Sequence, residues 1–208
     1  MALMVPSLRG FDFARLHEDL EYVRKAGASA VHIDVCDGHF APGITVGQPV
    51  VERLHKATRL RLDLHLLVER PERFLDDFLA AGAGRIAICS ESTSRCVETL
   101  RKVRAAGIPA GVAFDAGVPA EILMPAFGEI DFLILAAGES GKNAAACLPS
   151  LLRRVQTAAA ARRAASGQFT LEVEGAIEPE WAQAIEKAGA DVFIVSLPVR
   201  KVFKPAIN

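Results

Sequence analysis

The sequence predicts a (β/α)8 barrel of the TIM-barrel type, with a short or missing final helix. Short apolar runs rich in branched residues alternate with longer amphipathic stretches, which is the pattern of parallel strands joined by crossover helices. Eight such runs are present, and eight β/α units favour a closed barrel over an open sheet. Because 208 residues are enough for one such barrel, we predict a single catalytic domain over residues 1–208.

The eight runs are predicted to be strands because each is short, mostly apolar and rich in branched residues, and amphipathic stretches separate them. They lie at residues 2–5, 29–35, 61–67, 85–89, 110–114, 130–136, 168–174 and 191–196. Three helices are predicted to end at Ala26-Gly27-Ala28, Ala81-Gly82-Ala83 and Ala188-Gly189-Ala190, since glycine suits a helix C-terminus. Pro198 and Pro205 leave little room for a full helix after the last strand.

Four polar side chains are predicted to meet at one mouth of this barrel. Side chains alternate between the two faces of a strand, so polar residues two positions apart share one face. The four residues are His32 and Asp34 on the second strand, His65 on the third and Glu174 on the seventh. All four lie near the C-terminal ends of their strands, where barrel enzymes carry their active sites.

Two imidazoles and two carboxylates form a ligand set that suits one divalent metal ion, with zinc, iron, manganese and cobalt as the candidates. A metal beside carboxylates favours removal of a proton from the carbon next to a carbonyl, because the ion polarises the oxygen while a carboxylate takes the proton. If a second carboxylate returns the proton on the opposite face, the configuration inverts. The residues therefore predict a metal-assisted proton-transfer site.

Five motifs also carry a family resemblance. They are Pro6-Ser7-Leu8, the segment 11–16 (FDFARL), the segment 32–40 (HIDVCDGHF), the segment 63–68 (DLHLLV) and Val173-Glu174-Gly175. With them the chain resembles the ribulose-phosphate 3-epimerase family over most of its length, up to Val195. The resemblance implies a metal-dependent barrel that interconverts ribulose 5-phosphate and xylulose 5-phosphate. It further implies that His32, Asp34, His65 and Glu174 are metal ligands.

By the same resemblance, Asp34 and Glu174 are the catalytic acid and base, and Ser7 contacts the substrate. The family carries aspartate where this chain has Glu174, so the reach of one catalytic arm differs. It carries methionines where this chain has Cys36, Leu67 and Ala136. These departures predict an activity that is weakened or redirected.

The loops that hold a phosphate differ most from the family, which uses a glycine-rich loop after the sixth strand and a Gly-Ser pair after the eighth. This chain has residues 139–145 (ESGKNAA) and Ser196-Leu197-Pro198 there. Backbone amides cradle a phosphate only where the chain turns closely, so these loops disfavour that arrangement. Lys142, Arg200 and Lys201 are candidates for a substitute grip. We predict that Lys142 and Ser196 bind the substrate.

The composition indicates which kinds of partner and substrate the protein binds. A net charge of −1 gives no broad attraction to nucleic acid or to an anionic membrane, and no run of about 18 apolar residues is present. Four cysteines without a CxxC pair, and no recognisable secretory leader, predict a reduced cytoplasmic protein. Apolar Val199, Val202 and Phe203 beside a short last helix predict a homo-oligomer. A small sugar or sugar phosphate is the expected substrate.

Several polar residues have a structural interpretation instead. We expect Asp37 to form a turn with local hydrogen bonds, and Asp63 and Glu172 to form a polar network deeper in the barrel. Cys89 is predicted to pack in the core, and the arginines of the segment 153–163 to lie on a solvated helix face. Two other functions stay open: an epimerase for an unphosphorylated or different ketose, and a non-catalytic paralogue that binds a ligand.

Overall fold

The computed structural model describes residues 2–114, 126–137, 144–165 and 167–205. The strands are β1 Leu3–Pro6, β2 Ala30–Cys36, β3 Arg61–Leu67, β4 Arg85–Cys89, β5 Ala110–Phe114, β6 Phe132–Ala136, β7 Thr170–Gly175 and β8 Val192–Val195. All pairings are parallel: β1 pairs with β8, and each strand from β2 to β7 pairs with the next. A single bridge between Ser7 and His32 joins β1 to β2. This nearly closed barrel confirms the predicted fold class.

Helices alternate with the strands. Those within the described ranges are α1 Leu16–Lys25, α2 Gln48–Ala57, α3 Leu75–Ala80, α4 Cys96–Ala105, α5 Ala144–Ala164, α6 Pro179–Ala188 and α7 Val199–Val202. Helix α7 has four residues, which confirms the short final helix. Gly27 and Gly189 follow α1 and α6 with φ angles of 92° and 123°, a conformation that favours glycine. None of the helices in these ranges has the length and apolar composition needed to cross a bilayer.

Apolar side chains form two separate cores because the strands alternate. Ile33 and Val35 face outward into the large core between strands and helices. A smaller core fills the barrel interior and includes Val5, Phe132 and Ile194. His32 and Asp34 are buried on that inward side of β2, as the alternation predicts.

A second polar group, the floor cluster, lies at the N-terminal ends of the strands, where three of its members are buried and Arg61 and Thr170 are exposed. Its members are Arg61, Asp63, Arg85, Thr170 and Glu172. The Arg85 guanidinium donates from Nη1 and Nη2 to the two carboxylate oxygens of Glu172, at 2.6 and 2.8 Å. Its Nε lies 2.8 Å from Asp63 Oδ2, and Arg61 donates to Asp63 at 2.6 and 3.0 Å. The predicted network of Asp63 and Glu172 is confirmed, and its cations are two arginines that the sequence analysis left out.

The C-terminal segment corrects one argument for an oligomer. Val199 and Phe203 are 1% and 8% exposed and belong to the large core of their own chain. They therefore offer no apolar surface to a second subunit, and the half-buried Val202 also packs against this core. The homo-oligomer stays a prediction without this support.

Candidate metal centre

Four side chains from β2, β3 and β7 converge at the C-terminal mouth of the barrel. We call His32, Asp34, His65 and Glu174 the ligand cluster. One donor atom from each residue lies within 4.8 Å of the donor atoms of the other three. His32 Nε2 is 3.3 Å from Asp34 Oδ1 and 3.6 Å from Glu174 Oε2. His65 Nδ1 is 3.4 Å from the same Asp34 oxygen and 3.2 Å from Glu174 Oε2.

His65 Nδ1 and Glu174 Oε2 are within hydrogen-bonding distance of each other, at 3.2 Å, but the polar side-chain atoms of His32 and Asp34 are buried without such a partner in the part of the chain that the structure describes. The side chain of Asp34 is 0% exposed and that of His32 is 1% exposed. Among the described residues, neither nitrogen of His32 and neither oxygen of Asp34 has a hydrogen-bond partner. Buried polar groups are nearly always hydrogen-bonded. These unpaired nitrogen and oxygen atoms, which lie close together, therefore fit the ligand set of a divalent cation.

The extra methylene of Glu174 does not carry its carboxylate away from the cluster. Oε2 remains within 3.2 Å of His65 and 3.6 Å of His32. Gly175, at the strand end, has a φ of 151°, and a Cβ there would lie 2.9 Å from the Cβ of Ala137. The glycine after Glu174 therefore lets β7 approach the end of β6 closely.

Proximity of opposite charges shifts the pKa values of the cluster. Burial opposes the ionised form of Asp34, but contact with the two imidazoles outweighs burial and holds the pKa of this carboxyl well below its usual range. Burial likewise opposes charge on His32, yet Glu174 and Asp34 raise its pKa. The pKa of His65 is raised well above its usual value by Cys89, Asp34 and Glu174, against the effect of burial. An ionised Asp34 can accept a proton at neutral pH.

The loop after β2 fixes the end of that strand. The Thr45 hydroxyl donates to the Asp34 carbonyl at 2.6 Å and accepts from Cys36 N at 2.8 Å. Asp37 accepts hydrogen bonds from the backbone amides of residues 39 and 40, which confirms the predicted turn. Asp37 also accepts from the amide of Glu69, which ties the loops after β2 and β3 together.

Cys89 does more than the predicted packing. Its Sγ lies 3.4 Å from His65 Nε2, on the side of the ring that faces away from the cluster. Metal-ligating histidines usually direct their second nitrogen to a hydrogen-bonding partner, which sets the tautomer and the ring orientation, and Cys89 lies where that partner would be. Cys89 is the last residue of β4. Its position at a strand end, like those of His65 and Glu174, was the signal in the sequence that it lies near the mouth.

Of the predicted substrate residues, the structure describes two. Ser7 is fully buried at the end of β1, where its amide donates to Val195 O at 2.9 Å. Ser196 is half-buried at the end of β8, and its amide donates to Gly175 O at 3.0 Å. Both therefore lie at the mouth beside the ligand cluster. Lys142 falls outside the described residues.

Two arginines do not lie where the sequence analysis placed them. Arg200, a candidate for the phosphate grip, donates from Nε to Asp19 at 2.9 Å and stacks over Tyr22, so it ties the last helix to α1. Arg154 is not on a solvated face, because it donates to Ala136 O at 2.7 Å and lies over the Phe114 ring. Long-range packing redirects both side chains.

Arg9 is a residue at the mouth that the sequence analysis missed. Its Nε lies 3.8 Å from Asp34 Oδ2, and its side chain is 48% exposed. Asp34 thus directs one oxygen to the imidazoles and the other toward a guanidinium. Its position two residues after Ser7, just beyond a strand end, was the available signal.

Comparisons with known proteins agree with this geometry. The model of the ribulose-phosphate 3 epimerase family matches residues 3–199. Ribulose-phosphate 3-epimerase of Bacillus subtilis (strain 168) is 30% identical over 200 residues, which cover 96% of this chain and 92% of that protein. The Mycobacterium bovis protein of the same name is 33% identical over 206 residues, covering 98% and 88%. A solved tryptophan synthase alpha-subunit variant from Pyrococcus furiosus, 16% identical, superposes with a TM-score of 0.68 over 97% of this chain and 89% of that one, a likeness of fold alone.

Proposed function

Because the chain belongs to the ribulose-phosphate 3-epimerase family, a family of carbohydrate isomerases, we propose that it is a metal-dependent epimerase for ribulose 5-phosphate and xylulose 5-phosphate. The family supports a ketose phosphate as the substrate. The finer statement rests on one observation, the convergence of four donor atoms from three strands in the ligand cluster.

We assign His32, Asp34, His65 and Glu174 as the residues that hold one divalent metal ion. The donor set of two nitrogens and two oxygens is borderline in softness and suits zinc, iron, manganese or cobalt. When bound, such an ion polarises the substrate carbonyl and lowers the free energy of the negative charge that develops on its oxygen. Burial of the cluster keeps water from the same groups.

Asp34 and Glu174 are proposed as the proton-transfer pair. Contact with the two imidazoles lowers the pKa of Asp34 and holds it ionised, which is the form that can accept the proton from C3 of the ketose. In the ring of strands, β1 and β8 separate β2 from β7 on one side, so the two carboxylates approach the mouth from different directions. A proton removed by one carboxylate and returned by the other inverts C3. Each such step typically contributes about 10²- to 10⁴-fold to the rate.

Ser7 and Ser196 are proposed substrate contacts, since each lies at the mouth beside the cluster, and Lys142 is proposed as a third. The cytoplasm is the proposed location, and a homo-oligomer is the proposed assembly. Light scattering tests the assembly, and a mass equal to one chain contradicts it.

Deuterium exchange tests the function. The protein, loaded with each of the four metals in turn, is incubated in deuterated water with ribulose 5-phosphate and with unphosphorylated ribulose. We expect deuterium at C3 and formation of xylulose 5-phosphate, and we expect both to stop when a chelator removes the metal. If no ketose gains deuterium at C3 with any metal, the proposal is wrong. A ligand-dependent thermal shift without exchange then identifies a binding protein.

A further inference from the structure

Arg9 occupies a fixed position between the ends of β1 and β8. It lies in a one-turn 3-10 helix, Leu8–Gly10, whose first residues are held by Ser7: the Ser7 hydroxyl accepts from Arg9 N at 3.4 Å, and its carbonyl accepts from Gly10 N at 2.9 Å. A Cβ on Gly10 would lie 2.2 Å from the Leu197 carbonyl oxygen. The backbone after β1 therefore rests directly on the backbone after β8, and this contact holds Arg9 at the mouth.

The guanidinium of Arg9 keeps its donors available. Its Nε is 3.8 Å from Asp34 Oδ2, which is beyond hydrogen-bonding distance, and half of the side chain is exposed. No hydrogen bond from this guanidinium reaches an acceptor among the described residues. A planar fork of donors that faces the mouth suits an oxyanion, because guanidinium binds phosphate in a bidentate manner.

Other groups near this corner are already engaged. The amide of Ser196 donates to Gly175, and Pro198 has no amide hydrogen, so neither residue offers a backbone donor to an anion. Arg200 is paired with Asp19. Among the lysines and arginines that the structure describes, Arg9 is the one with a side-chain nitrogen within 4 Å of a carboxylate oxygen of the ligand cluster. It also offsets the negative charge of Asp34 and Glu174, which repels an approaching phosphate dianion.

We propose that Arg9 binds the phosphate monoester of the substrate, at the corner formed by the loops after β1 and β8. This inference rests on the proposed function. It assigns to Arg9 the phosphate contact for which Lys142, Arg200 and Lys201 are the candidates from sequence. Arg9 is thus a specificity-determining residue that selects phosphorylated over unphosphorylated ketoses.

The test compares Arg9→Leu and Arg9→Lys with Arg15→Leu, which removes a neighbouring exposed arginine from the same loop region. For Arg9→Leu we expect KM for ribulose 5-phosphate to rise by about 30- to 100-fold, the size of a lost charge-assisted hydrogen-bond pair. Arg9→Lys restores part of the loss, and Arg15→Leu leaves KM unchanged. We expect Arg9→Leu to slow deuterium exchange into ribulose 5-phosphate at least about tenfold more than exchange into unphosphorylated ribulose.

Two outcomes overturn the inference. If Arg9→Leu and Arg15→Leu share the wild-type KM, Arg9 does not bind the phosphate. If Arg9→Leu slows exchange into ribulose and ribulose 5-phosphate equally, Arg9 acts on Asp34 instead.

Binding of inorganic phosphate separates failure of this inference from failure of the proposed function. It is measured by calorimetry on the metal-loaded protein without any turnover. If the wild type catalyses no exchange but binds phosphate, and Arg9→Leu loses at least tenfold in affinity, the proposed function is wrong and the anion site stands. If Arg9→Leu binds inorganic phosphate as tightly as the wild type, the anion site is wrong whatever the reaction.

Discussion

The ligand cluster and the floor cluster share two strands, β3 and β7, and differ in how their charges are balanced. Strand β3 supplies Asp63 to the floor and His65 to the mouth, and β7 supplies Glu172 to the floor and Glu174 to the mouth. In the floor cluster both carboxylates hold a guanidinium at 2.6 to 3.0 Å. In the ligand cluster, the guanidinium that comes nearest among the described residues stands at 3.8 Å.

This difference separates a structural group from a functional one. A buried carboxylate with short hydrogen bonds to a guanidinium has repaid much of its desolvation, whereas Asp34 lies beside imidazoles at 3.3 and 3.4 Å and has no hydrogen-bond partner for its oxygens among the described residues. The floor cluster is complete as the chain folds. The ligand cluster is completed by a cation or a substrate, so burial and polarity alone do not distinguish the two, but charge balance does.

Among changes to the two clusters, we expect Asp34→Asn to have the largest effect. Asparagine keeps the shape of the side chain but loses the charge and the ability to take a proton. We expect ribulose 5-phosphate turnover to fall by at least about 10³-fold, with an unchanged circular dichroism spectrum, because asparagine fills the same space in the barrel. A variant with more than a tenth of wild-type turnover contradicts the assignment of Asp34.

The floor cluster has the opposite response. Arg85→Met leaves Glu172 buried with Thr170 as its remaining partner, at 3.1 Å. We expect the free energy of unfolding, measured with urea, to fall by about 3–5 kcal/mol, the cost of an unpaired buried charge. The exposed pair of Arg101 and Glu129 provides the control Arg101→Met, which should change stability little. Equal stabilities of the two variants would show that the floor cluster contributes no more than a surface pair.

Prediction from sequence succeeded where local pattern determines structure. All eight strands were placed within two residues of their observed ends, since apolar alternation is set by neighbours along the chain. His32, Asp34, His65 and Glu174 were brought together by a rule of barrel geometry that needs only strand ends. Alternation also puts Asp63 and His65 on one face, as observed.

What sequence missed depends on contacts between distant residues or on irregular backbone. Arg200 meets Asp19 across 181 positions, so no local pattern shows that its charge is already used. Arg9 owes its direction to a 3-10 turn pressed against the loop after β8. Arg85 became the centre of the floor cluster because two acids from other strands surround it. These side-chain positions depend on packing between distant parts of the chain, and the periodicity of a single sequence does not predict such packing.

A smaller effect is expected at Cys89, which connects the mouth to the surrounding core. Cys89→Ala removes the partner of His65 Nε2 at 3.4 Å and frees the imidazole to turn. We expect the metal dissociation constant, measured by chelator competition, to rise by about tenfold, with a changed cobalt absorption spectrum. Cys89→Ser retains an acceptor and restores most of the affinity, and the half-buried Cys96 gives the control Cys96→Ala. Unchanged affinity in Cys89→Ala would limit this residue to packing.

The smallest expected effect is the pH dependence of stability, measured in protein from which a chelator has removed the metal. The pKa values of His32 and His65 are raised in the folded state, so their contribution to stability is fully present below the unfolded pKa of about 6.5 and is lost as pH rises through the folded values. Asp34 has a lowered pKa, so its contribution is present above about pH 4 and is lost as pH falls through its folded value.

The metal-free protein should therefore lose stability as pH rises from about 6.5 toward 8.5, and urea unfolding across that range measures the slope. Asp34→Asn removes an anion that raises both imidazole pKa values, so its slope should be shallower, whereas Arg101→Met should keep the wild-type slope. Metal binding needs unprotonated imidazoles, so the thermal shift on adding metal should grow over the same range. A slope in Asp34→Asn equal to the wild type would mean that the imidazoles of the ligand cluster are not held charged by Asp34.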